Sequence, residues 1–206
     1  MRVLFIRHGE SKAQARLVSD KDSDSVNTLT ENGVNQVKES ALTCSENINA
    51  VYASPYTRTQ LTAKIFIDTC GKNLPIITDE RLHEIEYGVY PDKETKRKEL
   101  EEVALKQVAG DYEARFGRVG ENKREIVTRM FEFLVDVFNK HSSNDTILAV
   151  THGRVISITD AEFRIITKTP EIHGGTKNAQ IKVIELNAEN IEKIKQRIAE
   201  LNSKTQ

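Results

Sequence analysis

The N-terminal stretch RVLFIRHG, residues 2–9, decides the fold. Its apolar run predicts a buried strand, and the run leads directly into Arg7 and His8. A second apolar run, Ile147–Val150, leads in the same way into His152. Open parallel sheets bind ligands at the carboxyl ends of their strands. The sequence therefore predicts that two imidazoles meet in one crevice, an arrangement that suits chemistry on an anion.

Strand-like and helix-like segments alternate along the 206 residues around these two junctions, which is typical of α/β proteins. Strands are predicted at 2–6, 50–53, 75–78, 146–150 and 180–186. Helices are predicted after Thr30 and at 57–70, 94–108, 121–141, 154–165 and 190–201. The first helix is expected to bury Val34, Val37, Ala41 and Leu42. We expect a single domain, residues 1–206, folded as a three-layer α/β/α sandwich with a mostly parallel, doubly wound sheet.

The segment 90–120 differs in composition from the rest of the chain. A charged helix with few apolar anchors is followed by a predicted loop. We expect a small helical and loop cap inserted in the domain, with a solvated helix and loop of no ligand role as the alternative. Basic residues of this helix offer a weak second anion site for a polyphosphorylated substrate, although glutamates interleave with them: Lys93, Lys96, Arg97 and Lys98.

Composition limits the partners of the chain. The 30 basic residues nearly cancel the 31 acidic ones, so the sequence lacks the basic footprint of a nucleic-acid-binding protein. The first residues are too few and too soon charged for a signal peptide, and no apolar run approaches membrane-spanning length. The two cysteines lack metal-ligand spacing. We expect a soluble cytoplasmic protein that binds neither nucleic acid nor membrane.

His8 is the candidate nucleophile, with a phosphoryl group as the simplest anion to receive it. The ordinary pKa of histidine is about 6.5, so much of it is neutral at physiological pH. Nearby guanidinium groups disfavour the imidazolium further. Gly9 allows the chain to turn sharply and to approach a phosphate closely. Taken alone, a histidine at a strand end is more often a hydrogen-bonded spacer.

Arg7, Arg58 and His152 are candidate phosphate-binding residues. An arginine that ends an apolar strand is costly to bury without an anion. Because neighbours in a strand point to opposite faces, Arg7 and His8 can reach one ligand only if the strand ends at or before His8. Arg58 begins a helix after a Ser-Pro turn, and its planar guanidinium suits phosphoryl oxygens. An exposed arginine and a helix-capping histidine are the alternatives for Arg58 and His152.

A carboxyl group is needed to complete such a site. A leaving oxygen takes a proton as its bond to phosphorus breaks, and a carboxyl of raised pKa can supply the proton and then accept one from water. Glu84, Glu86 and Asp79 are the candidates, and the sequence pattern around them does not distinguish one from another. A surface carboxylate is the ordinary interpretation of each.

Four separated motifs occur in order along the chain. They read RHGES at 7–11, LTENGVNQ at 29–36, SPYTRTQLTA at 54–63 and THG at 151–153. Together they resemble the histidine phosphatase superfamily, the phosphoglycerate-mutase-like enzymes. The resemblance implies that His8 becomes a phosphohistidine. It implies no cofactor, apart from 2,3-bisphosphoglycerate if the protein is a mutase, and no metal, because two arginines and a second histidine supply the positive field.

A further segment, RLHEIEYG at 81–88, is similar to the family's R-L-x-E-x-x-Y-G. This resemblance selects Glu84 as the proton donor. Gln14 stands where many members carry asparagine, and the residues after 88 lack the pattern of glycolytic mutases. Gln14 and Gly153 are tentative substrate contacts, and Asn178 is a further candidate lining residue. The other three histidines lie in no setting that favours catalysis: His83, His141 and His173.

These features predict a phosphomonoester hydrolase that acts on a small phosphorylated substrate through phospho-His8, with water as the final acceptor. A phosphoglycerate mutase, which returns the phosphoryl group to a bound phosphoglycerate, is the alternative that uses the same residues. A non-catalytic phospholigand-binding module comes third, and loss of His8 or Glu84 would have been its signature. The sequence determines neither the natural substrate nor the oligomeric state.

Overall fold

The computed structural model describes residues 1–19, 22–170 and 175–203, so the prediction for His173 lies outside the described residues. Its strands are β1 (Arg2–Arg7), β2 (Ile48–Ala53), β3 (Ile76–Thr78), β4 (Thr146–Thr151) and β5 (Ile181–Glu185). They form one sheet in the order β3-β2-β4-β1-β5. Only β5 runs antiparallel to its neighbour among these strands. The prediction of a mostly parallel sheet is confirmed.

Six helices accompany this sheet in the described residues. They are α1 (Glu31–Thr43), α2 (Thr57–Thr69), α3 (Lys93–Val108), α4 (Lys123–Lys140), α5 (Gly153–Thr167) and α6 (Ala188–Ser203). Each predicted segment is present, with its ends shifted by a few residues. A short 3₁₀ turn, Glu80–Leu82, was not anticipated from the sequence. In the part of the chain that the structure describes, no helix is both long and apolar enough to cross a membrane.

The sheet separates two apolar layers because side chains alternate along each strand. In β1, Val3 and Phe5 pack in the layer formed by α4, α5 and α6. The intervening Leu4 and Ile6 pack in the opposite layer, with α1 and α2. Helices therefore cover both faces of the sheet, which confirms the predicted three-layer sandwich.

Helix α1 shows one correction to the predicted core. Thr30 caps the helix by accepting a hydrogen bond from the backbone N–H of Gly33 at 2.9 Å. Val37 and Ala41 are buried as expected, but Leu42 is 75% exposed. Successive helix residues are about 100° apart around the axis. Leu42 therefore falls outside the stripe that faces the sheet.

The segment 90–120 borders the carboxyl edge of the sheet. Leu100 and Val103 of α3 pack against the layer that contains α4. The Nζ atom of Lys96 lies 5.4 Å from the ring centroid of Tyr87. The backbone at Gly117 approaches Tyr87 so closely that an added Cβ would lie 2.9 Å from its carbonyl oxygen. These contacts place the segment beside the predicted crevice, and its role as a cap stays a prediction.

Candidate active site

The two histidines meet because β1 and β4 are neighbours in the sheet. Arg7 is paired with Thr151 at the carboxyl ends of these strands. His8 is the first residue after β1, and its backbone N–H donates to the carbonyl oxygen of Thr151 at 3.1 Å. The strand therefore ends where the sequence argument required. The ring centroids of His8 and His152 are 5.3 Å apart.

Gly9 packs closely against α1. A Cβ added at this position would lie 2.4 Å from the carbonyl oxygen of Gly33 in α1. The Gly9 N–H donates to the side-chain oxygen of Thr62 at 3.2 Å. The expected sharp turn and close approach to a bound phosphate at this glycine stay predictions. The structure adds that the start of α1 leaves no room for a side chain.

The ring of His8 is held in one tautomer. Its Nδ1 lies 2.7 Å from the carbonyl oxygen of Gly9, and because a carbonyl can only accept, Nδ1 carries the proton. Nε2 is then a free acceptor and receives a hydrogen bond from Nε of Arg58 at 3.4 Å. Burial, together with the charges of Arg58 and Arg7, lowers the pKa of His8 to about 3. The ring is therefore neutral, with a lone pair on Nε2.

The guanidinium of Arg58 joins both histidines. Besides its contact with His8, its Nη2 lies 3.3 Å from Nδ1 of His152. Its central carbon lies 4.5 Å from the ring centroid of Tyr56. Its Nη1 donates to Oδ1 of Asp24 at 3.3 Å. Cation–π contact and ion pairing together fix the guanidinium plane between the two imidazoles.

Asp24 is a site residue that the sequence argument missed. Its Oδ2 accepts hydrogen bonds from the backbone N–H and the hydroxyl of Thr57, at 2.6 and 2.7 Å. Asp24 lies in a polar stretch without apolar periodicity, where several acidic residues are equivalent by pattern. No sequence signal distinguishes it, because its contact with α2 depends on the path of the loop.

His152 is fully buried and has two polar neighbours besides Arg58. Its Nε2 lies 3.0 Å from the hydroxyl of Ser54, and its Nδ1 lies 3.6 Å from Oε2 of Glu84. Burial, followed by the charges of His8 and Arg58, holds the pKa of His152 well below its usual range. Ser54 belongs to the quoted motif at 54–63, but its contact with the second histidine was not predicted.

Two buried neutral histidines make stability depend on pH. Because the pKa of each is lower in the folded chain than in the unfolded one, the unfolded state binds more protons below pH 6.5. Stability is then lost as pH falls, by up to about 1.4 kcal/mol per pH unit for each ring. We expect the free energy of unfolding, from urea titrations at pH 7, 6 and 5, to fall less steeply in His8→Asn. Equal slopes in variant and wild type would contradict a buried neutral His8.

Glu84 is the candidate carboxyl group that reaches His152. Its Oε1 accepts from the backbone N–H of Ile85 at 2.9 Å. Burial raises the pKa of the Glu84 carboxyl despite this amide and the guanidiniums of Arg58 and Arg7. The structure places the other two candidates differently. Asp79 binds Arg81 through paired contacts of 2.9 and 2.7 Å, and Glu86 is exposed.

Arg7 occupies the other side of the pocket. Its Nη1 donates to the carbonyl oxygen of Thr176 at 2.7 Å. Its Nε is buried and has no hydrogen-bond partner among the described residues. A Cβ added at Gly153 would lie 2.9 Å from Cδ of Arg7, so the glycine makes room for this side chain. A buried, unpaired guanidinium nitrogen is suited to an arriving anion.

Gln14 and Asn178 hydrogen-bond with the segment that follows β1. Nδ2 of Asn178 donates to the carbonyl oxygen of His8 at 3.0 Å. Oε1 of Gln14 accepts from the backbone N–H of Ser11 at 3.0 Å and from Nδ2 of Asn178 at 3.1 Å. Both side chains are thus engaged with the protein. Contact of Gln14 and Gly153 with a substrate stays a prediction.

Comparison with known proteins gives a consistent result. The family model of the histidine phosphatase superfamily, branch 1, matches residues 3–198. The chain is 32% identical over 161 residues to the probable phosphoglycerate mutase GpmB of Yersinia pestis, covering 76% of this chain and 71% of that protein. GpmB of Yersinia pseudotuberculosis matches equally well.

Two solved structures show the same fold. A mycobacterial glucosyl-3-phosphoglycerate phosphatase has a TM-score of 0.72 at 17% identity and covers 92% of this chain and 93% of its own. A phosphoserine phosphatase from Entamoeba histolytica has a TM-score of 0.66 at 21% identity and covers 88% and 89%. Because the family model matches nearly the whole of this chain, the chain belongs to the histidine phosphatase superfamily, an enzyme family of phosphatases and phosphoglycerate-mutase-like proteins.

Proposed function

We propose that the chain is a phosphomonoester hydrolase in which His8 is the nucleophile and Glu84 the general acid and base. One observation carries this proposal. A neutral imidazole with a free Nε2 lies 3.4 Å from a guanidinium nitrogen of Arg58, which also contacts His152. A carboxyl of raised pKa stands 3.6 Å from that second ring. Nucleophile, charge stabilisation and proton source are thus within one pocket.

In the first step, the lone pair of His8 Nε2 forms a bond to phosphorus while the bond from phosphorus to the ester oxygen breaks. The electron pair of the broken bond goes to that oxygen, which takes a proton from Glu84. Arg7, Arg58 and His152 hold the phosphoryl oxygens, where charge is spread in the transition state. The products are phospho-His8, the free alcohol and an ionised Glu84.

In the second step, water replaces the alcohol. The Glu84 carboxylate takes a proton from the water as its oxygen attacks phosphorus. The bond between phosphorus and Nε2 of His8 breaks, and its electron pair returns to the ring. Inorganic phosphate leaves, and both side chains regain their starting protonation states.

A phosphoglycerate mutase is the second candidate, because the Yersinia relatives carry that name. In a mutase the phosphoryl group returns from His8 to a bound phosphoglycerate instead of passing to water. Purified protein incubated with 3-phosphoglycerate and a trace of 2,3-bisphosphoglycerate separates the two. We expect free phosphate, and rapid formation of 2-phosphoglycerate would favour the mutase. The family match favours either enzyme over the non-catalytic module.

Asp24 gives this proposal a test away from the reacting atoms. We expect Asp24→Asn to lower kcat about tenfold, or about 1.4 kcal/mol, because Arg58 loses the ion pair that fixes its plane. The KM should not rise in proportion, since the lost carboxylate also repelled the bound phosphoryl group. Steady-state kinetics with p-nitrophenyl phosphate measures both constants.

The matched control is Asp22→Asn, because Asp22 lies in the same loop and accepts from the N–H of Ser19 at 2.8 Å. Its kinetics should stay close to those of the wild type. Asp24→Glu, which keeps the charge, should recover part of the lost kcat. If Asp24→Asn raised KM alone, or if both asparagine variants behaved alike, Asp24 would not position Arg58.

A further inference from the structure

A pocket of about 610 Å³ opens beside the proposed catalytic groups. Arg7 and Glu84 line its inner side, and Tyr87, Arg154, Ser157 and Thr176 line the remainder. The mechanism above assigns Arg7 to the phosphoryl oxygens and Glu84 to the leaving oxygen. In that mechanism the leaving group lies in the remainder of the pocket. Arg154 lines this part of the pocket and takes no part in the proposed steps.

Arg154 is the second residue of α5, directly after Gly153. Its guanidinium carbon lies 5.5 Å from the ring centroid of Phe116 and 5.9 Å from that of Tyr87. Two aromatic rings therefore hold the guanidinium at the pocket wall.

Within residues 1–19, 22–170 and 175–203, no carboxylate oxygen lies within 4.0 Å of an Arg154 guanidinium nitrogen. Other arginines of the described chain are paired at 2.7 or 2.8 Å: Arg81, Arg115, Arg129 and Arg197. Lys96 adds a second cation near the same ring of Tyr87. Among the described residues, Arg154 and Lys96 are thus two cations beside Tyr87 that form no salt bridge with a carboxylate.

A guanidinium presents planar paired donors that match carboxylate or phosphate oxygens. Building on the proposed function, we propose that Arg154 is a specificity residue that binds a second anionic group, carried by the leaving group of the substrate. The substrate is then a phosphomonoester with a carboxylate or a second phosphate a few bonds from the ester oxygen. Thr176 and Ser157 line the same pocket, and the Ser157 hydroxyl donates to the carbonyl oxygen of Gly153 at 2.9 Å.

Paired substrates test this assignment. The first pair is 3-phosphoglycerate and glycerol 3-phosphate, which differ by a carboxylate in place of a hydroxymethyl group. The second pair is propane-1,3-diol bisphosphate and its monophosphate. We expect Arg154→Gln to lower kcat/KM for the anionic member of the preferred pair by about 10- to 100-fold. The loss for its partner, which lacks the second anionic group, should be at least tenfold smaller. The pair with the larger difference between its two losses shows whether the second anion is a carboxylate or a phosphate.

Two further variants interpret the result. Arg154→Lys keeps the charge but loses the planar donors, and should recover only part of the selectivity. Arg118→Gln removes a charge from an exposed position of the neighbouring segment and should leave the selectivity intact. Equal losses of kcat/KM for substrates with and without the second anionic group would overturn the proposal, because Arg154 would then be structural. So would selectivity that survives the removal of Arg154.

A binding measurement separates this inference from the proposed hydrolase. In a His8→Ala background, calorimetry gives the Kd of 3-phosphoglycerate, propane-1,3-diol bisphosphate and their partners, with and without Arg154→Gln. If the wild type hydrolyses no monoester but an anionic ligand loses affinity selectively with Arg154, the hydrolase proposal fails and the Arg154 inference stands. If hydrolysis proceeds through His8 while Arg154→Gln changes neither Kd ratio nor selectivity, only the inference fails.

Discussion

His8→Ala should abolish turnover and leave no phosphoenzyme. We expect kcat/KM for p-nitrophenyl phosphate to fall by about 10⁴-fold or more, which corresponds to about 5.5 kcal/mol of lost transition-state stabilisation. The size follows from the role: the variant lacks the atom that bonds to phosphorus. The remaining candidate phosphate-binding groups, the two cations Arg7 and Arg58 and the neutral ring of His152, can still bind the phosphoryl oxygens. Affinity for inorganic phosphate should therefore fall far less than turnover.

The decisive measurement is acid-quenched trapping with a ³²P-labelled monoester. Phosphohistidine is hydrolysed in strong acid but is stable in base. The acid quench is therefore brief, and the protein-bound label of wild type and variant is compared after the samples have been made alkaline. Wild type should retain label and His8→Ala none. His141→Ala is a matched control, since that ring also has an aromatic and a hydrogen-bonded partner in Tyr52 but stands before β4 rather than after it. Normal hydrolysis by His8→Ala would show that the nucleophile is another group.

The sheet-edge arrangement could be predicted because it depends on local patterns. Apolar runs predict β1 and β4, and parallel strands bring their carboxyl ends to one edge. The residues directly after those strands, His8 and His152, then approach each other without any knowledge of loops. The structure places their ring centroids 5.3 Å apart. Their close approach also depends on β4 lying next to β1, a strand order that the sequence did not predict.

Contacts that depend on loop paths could not be predicted. Asp24 reaches Arg58 from a stretch with no periodicity. The contact between Ser54 and His152 depends instead on β2 lying next to β4, a strand order that the sequence did not predict. The choice among Glu84, Glu86 and Asp79 likewise required the family resemblance. The physical reason appears only in three dimensions, where Asp79 is engaged by the neighbouring Arg81.

Leu42 shows the same limit within a helix. Its apolar character alone suggested burial, but burial depends on the angle around the helix axis relative to the sheet. Val37 and Ala41 of α1 face the sheet and Leu42 is exposed.

The contact between Arg7 and Gly153 likewise depends on close packing in three dimensions. A side chain at position 153 would collide with the side chain of Arg7.

The effect of Glu84→Gln should depend on the leaving group. An alkyl alcohol needs a proton as it leaves, so we expect kcat/KM for glycerol 3-phosphate to fall by about 10²- to 10⁴-fold. The p-nitrophenolate ion leaves readily without a proton, and its release from phosphorus should slow by less than about tenfold. The second step still needs the carboxylate to activate water. With p-nitrophenyl phosphate the variant should therefore release a burst of p-nitrophenol close to the enzyme concentration, and then turn over slowly.

The pH dependence gives the same assignment a second readout. Burial raises the pKa of Glu84, so the protonated form persists to a higher pH than in an ordinary glutamate. The kcat/KM of wild type for an alkyl ester should fall as pH rises through that raised pKa, and Glu84→Gln should lack this limb. Glu86→Gln is the matched control, because Glu86 is exposed two residues away and should keep both the limb and the rate. A loss of equal size for all leaving groups, without a burst, would remove Glu84 from proton transfer and leave it a role in binding alone.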